Sequence, residues 1–158
     1  MKNLFYIFLT GALILIGLQS KSQGANRPAN CDDTFIIHQA DSIKLELSKQ
    51  GFIVVKEASM SMESEFEIPV IVPLTQGSWY QFVFIGDITS RLYEVRMFDW
   101  DEKQVAYQRK QWGDVDGNVI SYSYIPKFSE YHMMKPVQVN KKKKKLCGYV
   151  MLLKKVKQ

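Results

Sequence analysis

The amino-acid sequence predicts a mainly β protein: an antiparallel two-sheet β-sandwich of about eight strands, jelly-roll-like, with one N-terminal amphipathic helix packed on it. Three observations carry that expectation. From residue 52 onward the apolar residues recur with a period of two, the spacing of strands that bury one face. The apolar stretches are separated by compact polar breaks, Thr75-Gln76-Gly77-Ser78, Gly86-Asp87, Asp101-Glu102-Lys103 and Asp114-Val115-Asp116-Gly117-Asn118, which hold the residue types that tight turns require. Only residues 32–50 show a helical period, and Gly51 closes them as a C-terminal cap should.

Taken in chain order, residues 1–22 have the form of a secretory signal peptide. Lys2 supplies the positive start and Leu4 to Leu18 the apolar stretch, interrupted by Thr10, Gly11 and Gly17. Ser20 and Ser22 are the small residues a signal peptidase reads, which predicts cleavage before Gln23. The apolar run is short for a membrane span, so no span is expected after processing, and the mature protein is expected in the periplasm or outside the cell. Residues 23–30, polar with Gly and Pro, read as a flexible lead. Residues 31–158 then form a single domain, since the 136 residues left after cleavage suffice for one core and not for two ordinary ones.

Within the domain the helix places Ile37, Ala40, Ile43 or Lys44, and Leu47 on one stripe. Strands are expected over 52–58, 66–74, 79–86, 91–100, 105–112, 118–125, 129–139 and 146–156. In the second of these Phe66, Ile68, Val70, Val72 and Leu74 share the buried face, and Pro69 and Pro73, lacking N–H donors, put the strand at an edge. Tyr80, Phe82 and Phe84, then Tyr93, Val95 and Met97, repeat the inward row. The last strand is apolar on both faces, so it is expected to be central and covered on its outer side by the helix.

Charge is unevenly distributed. Between residues 23 and 130 there are ten Lys or Arg against sixteen Asp or Glu, whereas beyond Glu130 nine lysines stand with no acid. An anionic partner for the basic end is one reading; the preferred one is that the basic terminal strands lie beside the acidic middle and neutralise it. Lys141, Lys142, Lys143, Lys144 and Lys145 repel one another and are expected in an exposed loop between the last two strands. No nucleic-acid partner is expected. Cys31 and Cys147, in an oxidising compartment, are expected to form a disulfide that pins the first segment to the last strand. In the chain-entropy model so long a loop contributes on the order of 4–5 kcal/mol. A reactive Cys147 thiol, activated by the neighbouring lysines, is the competing reading.

The order LTQGSWYQFVFIGD, YEVRMFDWD, GNVISYSYIP, SEYHMMKPVQV and a last strand with Cys-Gly-Tyr-Val resembles the jelly-roll β-sandwiches of the bacterial prepeptidase C-terminal type, over residues 65–155. The resemblance implies a non-catalytic module of the kind that accompanies secreted enzymes, or a free-standing relative. The N-terminal helix lies outside that family's pattern.

Several constellations invite chemistry. Asp114, Asp116 and Asn118 offer oxygen at alternate positions, as a hard cation requires, but the glycine stands too early and Ile125 occupies the place of the closing glutamate of a calcium loop. An Asp-Gly turn explains the same residues, and no metal or other cofactor is expected. Glu63, Glu65 and Glu67 would line one face of an extended strand, and a carboxylate pair at that spacing suits glycoside cleavage; a solvent-facing edge explains them more simply. Trp79 and Trp100 are out of phase with the buried rows and so project away from the main core. With Tyr107 and Trp112 they are the candidate platform for stacking on sugar rings, although packing under the helix or at strand ends is the preferred reading. His38 and His132 are assigned surface positions on helix and strand. No nucleophile elbow, zinc-protease helix or phosphate loop is present.

The functional expectation is an exported, non-catalytic binding or accessory module that contacts carbohydrate or a cell-envelope polymer. An envelope protein-protein interaction or adhesion component is the first alternative, and a glycan-active hydrolase using the Glu63, Glu65 and Glu67 row the second.

Overall fold

The computed structural model describes residues 31–111 and 115–156. The expected signal peptide, the flexible lead, Trp112 and Asp114 lie outside the described residues. One helix, α1 (Thr34–Lys49), precedes eight strands: β1 (Phe52–Glu63), β2 (Val70–Leu74), β3 (Tyr80–Gly86), β4 (Leu92–Phe98), β5 (Gln104–Gln111), β6 (Val119–Tyr124), β7 (Glu130–Val139) and β8 (Lys145–Lys155). They form two antiparallel four-stranded sheets, ordered β1-β8-β3-β6 and β2-β7-β4-β5. Strands β1 to β4 alternate between the sheets and β8 returns beside β1, which is jelly-roll connectivity.

The main core lies between the sheets. Val72, Phe84, Tyr93 and Val95 are wholly inaccessible within it, and Met60, Met62, Met97 and Met134 fill the gaps between the rings. A second core lies outside the first sheet, where α1 covers β1, β8 and β3. The covering stripe is Ile36, Ala40, Ile43 and Leu47, as expected from Ala40 onward, but Ile36 rather than Ile37 occupies its first position and Ile37 is exposed. Asp33 caps the helix: its carboxylate accepts from the N–H groups of Phe35 (2.9 Å) and Ile36 (3.2 Å), and the helix runs from there. Gly51, at φ +83°, turns the chain from the helix into β1. Because the helix covers it, β3 buries Val83 and Ile85 as well as Phe82 and Phe84, a doubly covered strand like β8.

The edge position of the proline-bearing strand is as expected, since β2 pairs only with β7. Its beginning is not. Residues 65–68 run along β7 without regular strand geometry: Glu65 N–H donates to the Gln138 carbonyl (2.9 Å), Ile68 N–H to the Pro136 carbonyl, and Glu65 itself sits at φ 74°. Phe66, next to that left-handed residue, is exposed rather than buried, while Ile68, Val70, Val72 and Leu74 keep the expected inward face. His132 is a second correction. It faces inward on β7, buried, with its ring 5.3 Å from that of Tyr124 and Nε2 3.2 Å from the Tyr124 hydroxyl. His38 is exposed on α1 as expected.

Cys31 and Cys147 form a disulfide, with Cα atoms 5.5 Å apart. It ties the entrance of α1 to β8, and the Cys31 backbone is held further by the Ser59 hydroxyl of β1. A free Cys147 nucleophile is thereby excluded.

Candidate functional site

The two ends of the sandwich differ in kind. At one end, Asp87 follows β3 and is almost inaccessible. Its carboxylate meets the Lys143 ammonium at 2.6 Å and accepts the Thr89 hydroxyl at 2.6 Å. Burial alone would raise the Asp87 carboxyl, but these bonds outweigh it and hold the group below the usual carboxylate range. Gln138 satisfies its surroundings fully: its Oε1 accepts from Asp87 N–H (2.8 Å) and the Ser90 hydroxyl (3.1 Å), and its Nε2 donates to the Cys147 carbonyl (2.8 Å). Asn140 receives the N–H groups of Lys142 and Lys143. The lysine run is therefore an exposed loop, as expected, but a fastened one, with Lys143 as its anchor and Lys141, Lys142, Lys144 and Lys145 exposed. Neutralisation of the basic end by the acidic middle reaches Lys143 and also Lys135, which pairs with Glu67 at 3.3 Å.

Of the turn proposed as a weak cation site, Asp114 lies outside the described residues and the Asn118 side chain is engaged by protein groups. Asn118 is buried, its amide donating to the Gly86 carbonyl (2.7 Å) and exchanging hydrogen bonds with Gln39. The Asp116 carbonyl accepts from Lys110 (3.0 Å). Among the described residues no group of three or more His, Cys, Asp or Glu side chains is placed to hold a metal ion. The expected glutamate row does not form either. Glu63 ends β1 in the first sheet, Glu65 occupies the left-handed turn, and Glu67 joins the second sheet, where Arg96 (3.2 Å) and Lys135 hold it. The left-handed residue between the sheets is the cause.

A third cluster fastens α1. Tyr149 donates to Glu57 at 2.6 Å, and Lys44 reaches both Glu57 (3.1 Å) and Asp41 (2.9 Å). The Tyr149 hydrogen bond pulls the Glu57 carboxyl down, whereas burial and the Glu57 charge push the Tyr149 hydroxyl up to about 12.

The opposite end gathers the exposed aromatic residues. Here the 75–79 turn docks on the 125–129 loop, with Gly77 N–H donating to the Pro126 carbonyl (3.0 Å) and Gln76 N–H to the Ser129 hydroxyl (2.9 Å). The Thr75 N–H donates to the Tyr80 hydroxyl (3.0 Å). Trp79, 42 % exposed, meets the edge of Phe52 at a ring separation of 5.8 Å. The Lys155 ammonium stands 4.4 Å from its centroid and 5.5 Å from that of Phe52. Trp79 and Lys155 form one wall of a cleft of about 790 Å³, within the 300–1,000 Å³ range of small-molecule sites. Ile125 and Val156 supply further apolar wall, Gln50, Gln76 and Ser78 supply hydrogen-bonding groups, and Lys49, Lys154 and Lys155 supply charge.

The predicted aromatic platform is therefore dispersed. Trp79 lines the cleft. Trp100, 69 % exposed, lies at the same end on the second sheet, its ring 6.2 Å from Tyr131. Tyr107 stands on the outer face of that sheet, donating to Glu94 (3.2 Å) within a network that includes Arg96 and Arg109. The sequence reading missed Tyr131, Ile125 and the three cleft lysines. The only sequence signal for them was the Lys154-Lys155 pair ending a buried strand.

No protein-family model matches the chain, and no curated protein does. Among solved structures it is similar to a family GH115 4-O-methyl-α-glucuronidase with specificity for decorated arabinogalactans, at 13 % identity and a TM-score of 0.35, covering 65 % of this chain and 14 % of that one. It is also similar to the glycosylation-associated protein Gap123 complex from Streptococcus agalactiae, at 11 % identity and a TM-score of 0.33, covering 66 % of this chain and 39 % of that one. This chain thus spans well under half the length of either.

Proposed function

We propose that the protein is an exported, non-catalytic binding module that holds a carbohydrate or cell-envelope polymer at the tryptophan end of its sandwich. The observation that carries the reading is the cleft at Trp79: an exposed indole wall beside amide and hydroxyl groups, formed on a rigid strand end. A sugar ring offers an apolar face of C–H groups and a rim of hydroxyls, and an aromatic wall with polar neighbours matches both. The disulfide supports export, and among the described residues no helix is long and apolar enough to cross a membrane. Glu63 at the end of β1, Glu65 in a left-handed turn and Glu67 paired with Arg96 do not share one strand, which favours the binding reading over a hydrolase.

The test is retention on immobilised polysaccharides, neutral and acidic, with tryptophan fluorescence as the second readout. Retention lost in Trp79→Ala with the fold intact supports the reading, whereas failure of every polysaccharide to retain the protein or to alter its fluorescence overturns it.

A further inference from the structure

The charge inside the Trp79 cleft narrows the ligand. Lys49 arrives from the last turn of α1, and Lys154 and Lys155 from the end of β8, so three ammonium groups from two distant segments line one recess. Among the described residues no acidic side chain lines it. Elsewhere on the surface Lys44, Arg96, Arg109, Lys135 and Lys143 each meet a carboxylate, whereas among the described residues Lys56, Lys103, Lys110, Lys127 and the rest of the 141–145 loop do not, so what marks the cleft is the convergence of its lysines. Among the described residues Lys49, Lys154 and Lys155 form no ion pair. Lys155 is instead held over the Trp79 and Phe52 rings, and Lys154 lies 5.7 Å from the Tyr80 centroid. One of the three charges, Lys155, thus flanks the indole wall itself. One contrary contribution is present, because the carbonyl end of α1 favours cations there; Lys49 offsets it.

We propose that this cleft takes an acidic polysaccharide, one whose pyranose rings carry carboxylate or sulfate groups. The proposal rests on the binding reading above and specifies the ligand class at that same site. Lysines present compact single charges on flexible stems, whereas the planar bidentate fork of arginine is absent from the lining. Separate point charges around a ring-stacking wall suit single anionic groups repeated along a chain of sugars. The apolar faces of successive rings meet Trp79 and Ile125, the anionic substituents reach the lysines, and the remaining hydroxyls meet Gln50, Gln76 and Ser78. The exposed lysines of the 141–145 loop lie at the other end of the sandwich and take no part.

The experiment measures binding of the disulfide-bonded protein to polygalacturonate, dextran sulfate, unsubstituted dextran and a single-stranded oligonucleotide at low and threefold higher salt. Polygalacturonate, dextran sulfate or both are expected to bind more tightly than dextran, with affinity falling severalfold as salt screens the charges. The carboxylate and sulfate arms distinguish the two sources of charge. Lys49→Gln/Lys154→Gln/Lys155→Gln is expected to lose roughly tenfold or more of that affinity, and the corresponding triple arginine variant to retain it with its salt dependence. Should the triple glutamine variant not fold, Lys49→Gln/Lys154→Gln leaves the Trp79 stack intact and is expected to show a smaller loss of the same sign. Salt-insensitive binding, equal affinity for dextran and the acidic polymers, or an oligonucleotide bound as tightly as either overturns the proposal. Dextran binding that depends on Trp79 but not on the lysines overturns this inference alone; no binding to any polysaccharide overturns the binding reading with it.

Discussion

The two ends of the sandwich are built from the same strands and treat their polar groups in opposite ways. At the Asp87 end, Asp87 is bonded to Gln138, Thr89 and Lys143, and Asn140 to Thr89 and Lys143, so the loops are tied together. At the Trp79 end, indole and ammonium groups are left toward solvent around a cleft. A buried carboxylate must be paired to be tolerated, so the first end is committed to stability. Exposed aromatic area and unpaired charge contribute little to folding, so the second end is free to serve a ligand.

The largest effect that would sharpen this contrast is expected from Gln138→Leu. It strands the Asp87 N–H and the Cys147 carbonyl, each buried donor or acceptor left unmade costing about 1–3 kcal/mol. Urea unfolding should show a loss of about 3–5 kcal/mol on that basis, while polymer affinity per folded molecule stays unchanged. Replacing both Cys31 and Cys147 by Ser should cost about 2–4 kcal/mol and be read most strongly in hydrogen exchange of α1, whose entrance the bond holds. A loss of polysaccharide binding in either variant while still folded would show that the ends are coupled and break the comparison.

Protonation offers a subtler probe of the closed end. Asp87 titrates below the usual carboxylate value in the folded protein, so its contribution is present above about pH 4, where the unfolded carboxylate is also ionised, and is lost as pH falls through the lower folded value. Asp87→Asn should therefore flatten the acid limb of the stability curve. Tyr149 gives the converse at alkaline pH. Its hydroxyl is raised to about 12, so its contribution holds below the unfolded value of about 10 and disappears as pH rises through the folded one, and Tyr149→Phe should remove that limb. At the open end, Trp79→Ala is expected to cost only about 1 kcal/mol in stability, since part of the ring is already in water, yet to abolish polymer retention. Trp100→Ala should change stability by less than about 0.5 kcal/mol.

Much of this was legible before any coordinates. All eight strands, the edge position of the Pro69–Pro73 segment, the central β8 and the covering helix follow from local periodicity, because the alternation of a half-buried strand is written into adjacent residues. The errors are equally physical. The strand expected from residue 66 begins only at Val70, after a left-handed turn at Glu65 that leaves Phe66 exposed and breaks the glutamate row, and Ile36 rather than Ile37 heads the covering stripe of the helix. His132 was placed outward although the same alternation that buries Met134 also buries it.

By itself the sequence determined the fold class, the strands and the cysteine pairing, since each depends on short-range pattern or on there being only two cysteines to join. Only the tertiary structure decided that Lys49, Gln76, Trp79, Ile125 and Lys155 share a cleft while Trp100 and Tyr107 stand elsewhere. A ligand site of that kind is assembled where strand ends from distant parts of the chain meet, and jelly-roll closure, a long-range property of both sheets together, sets which ends those are.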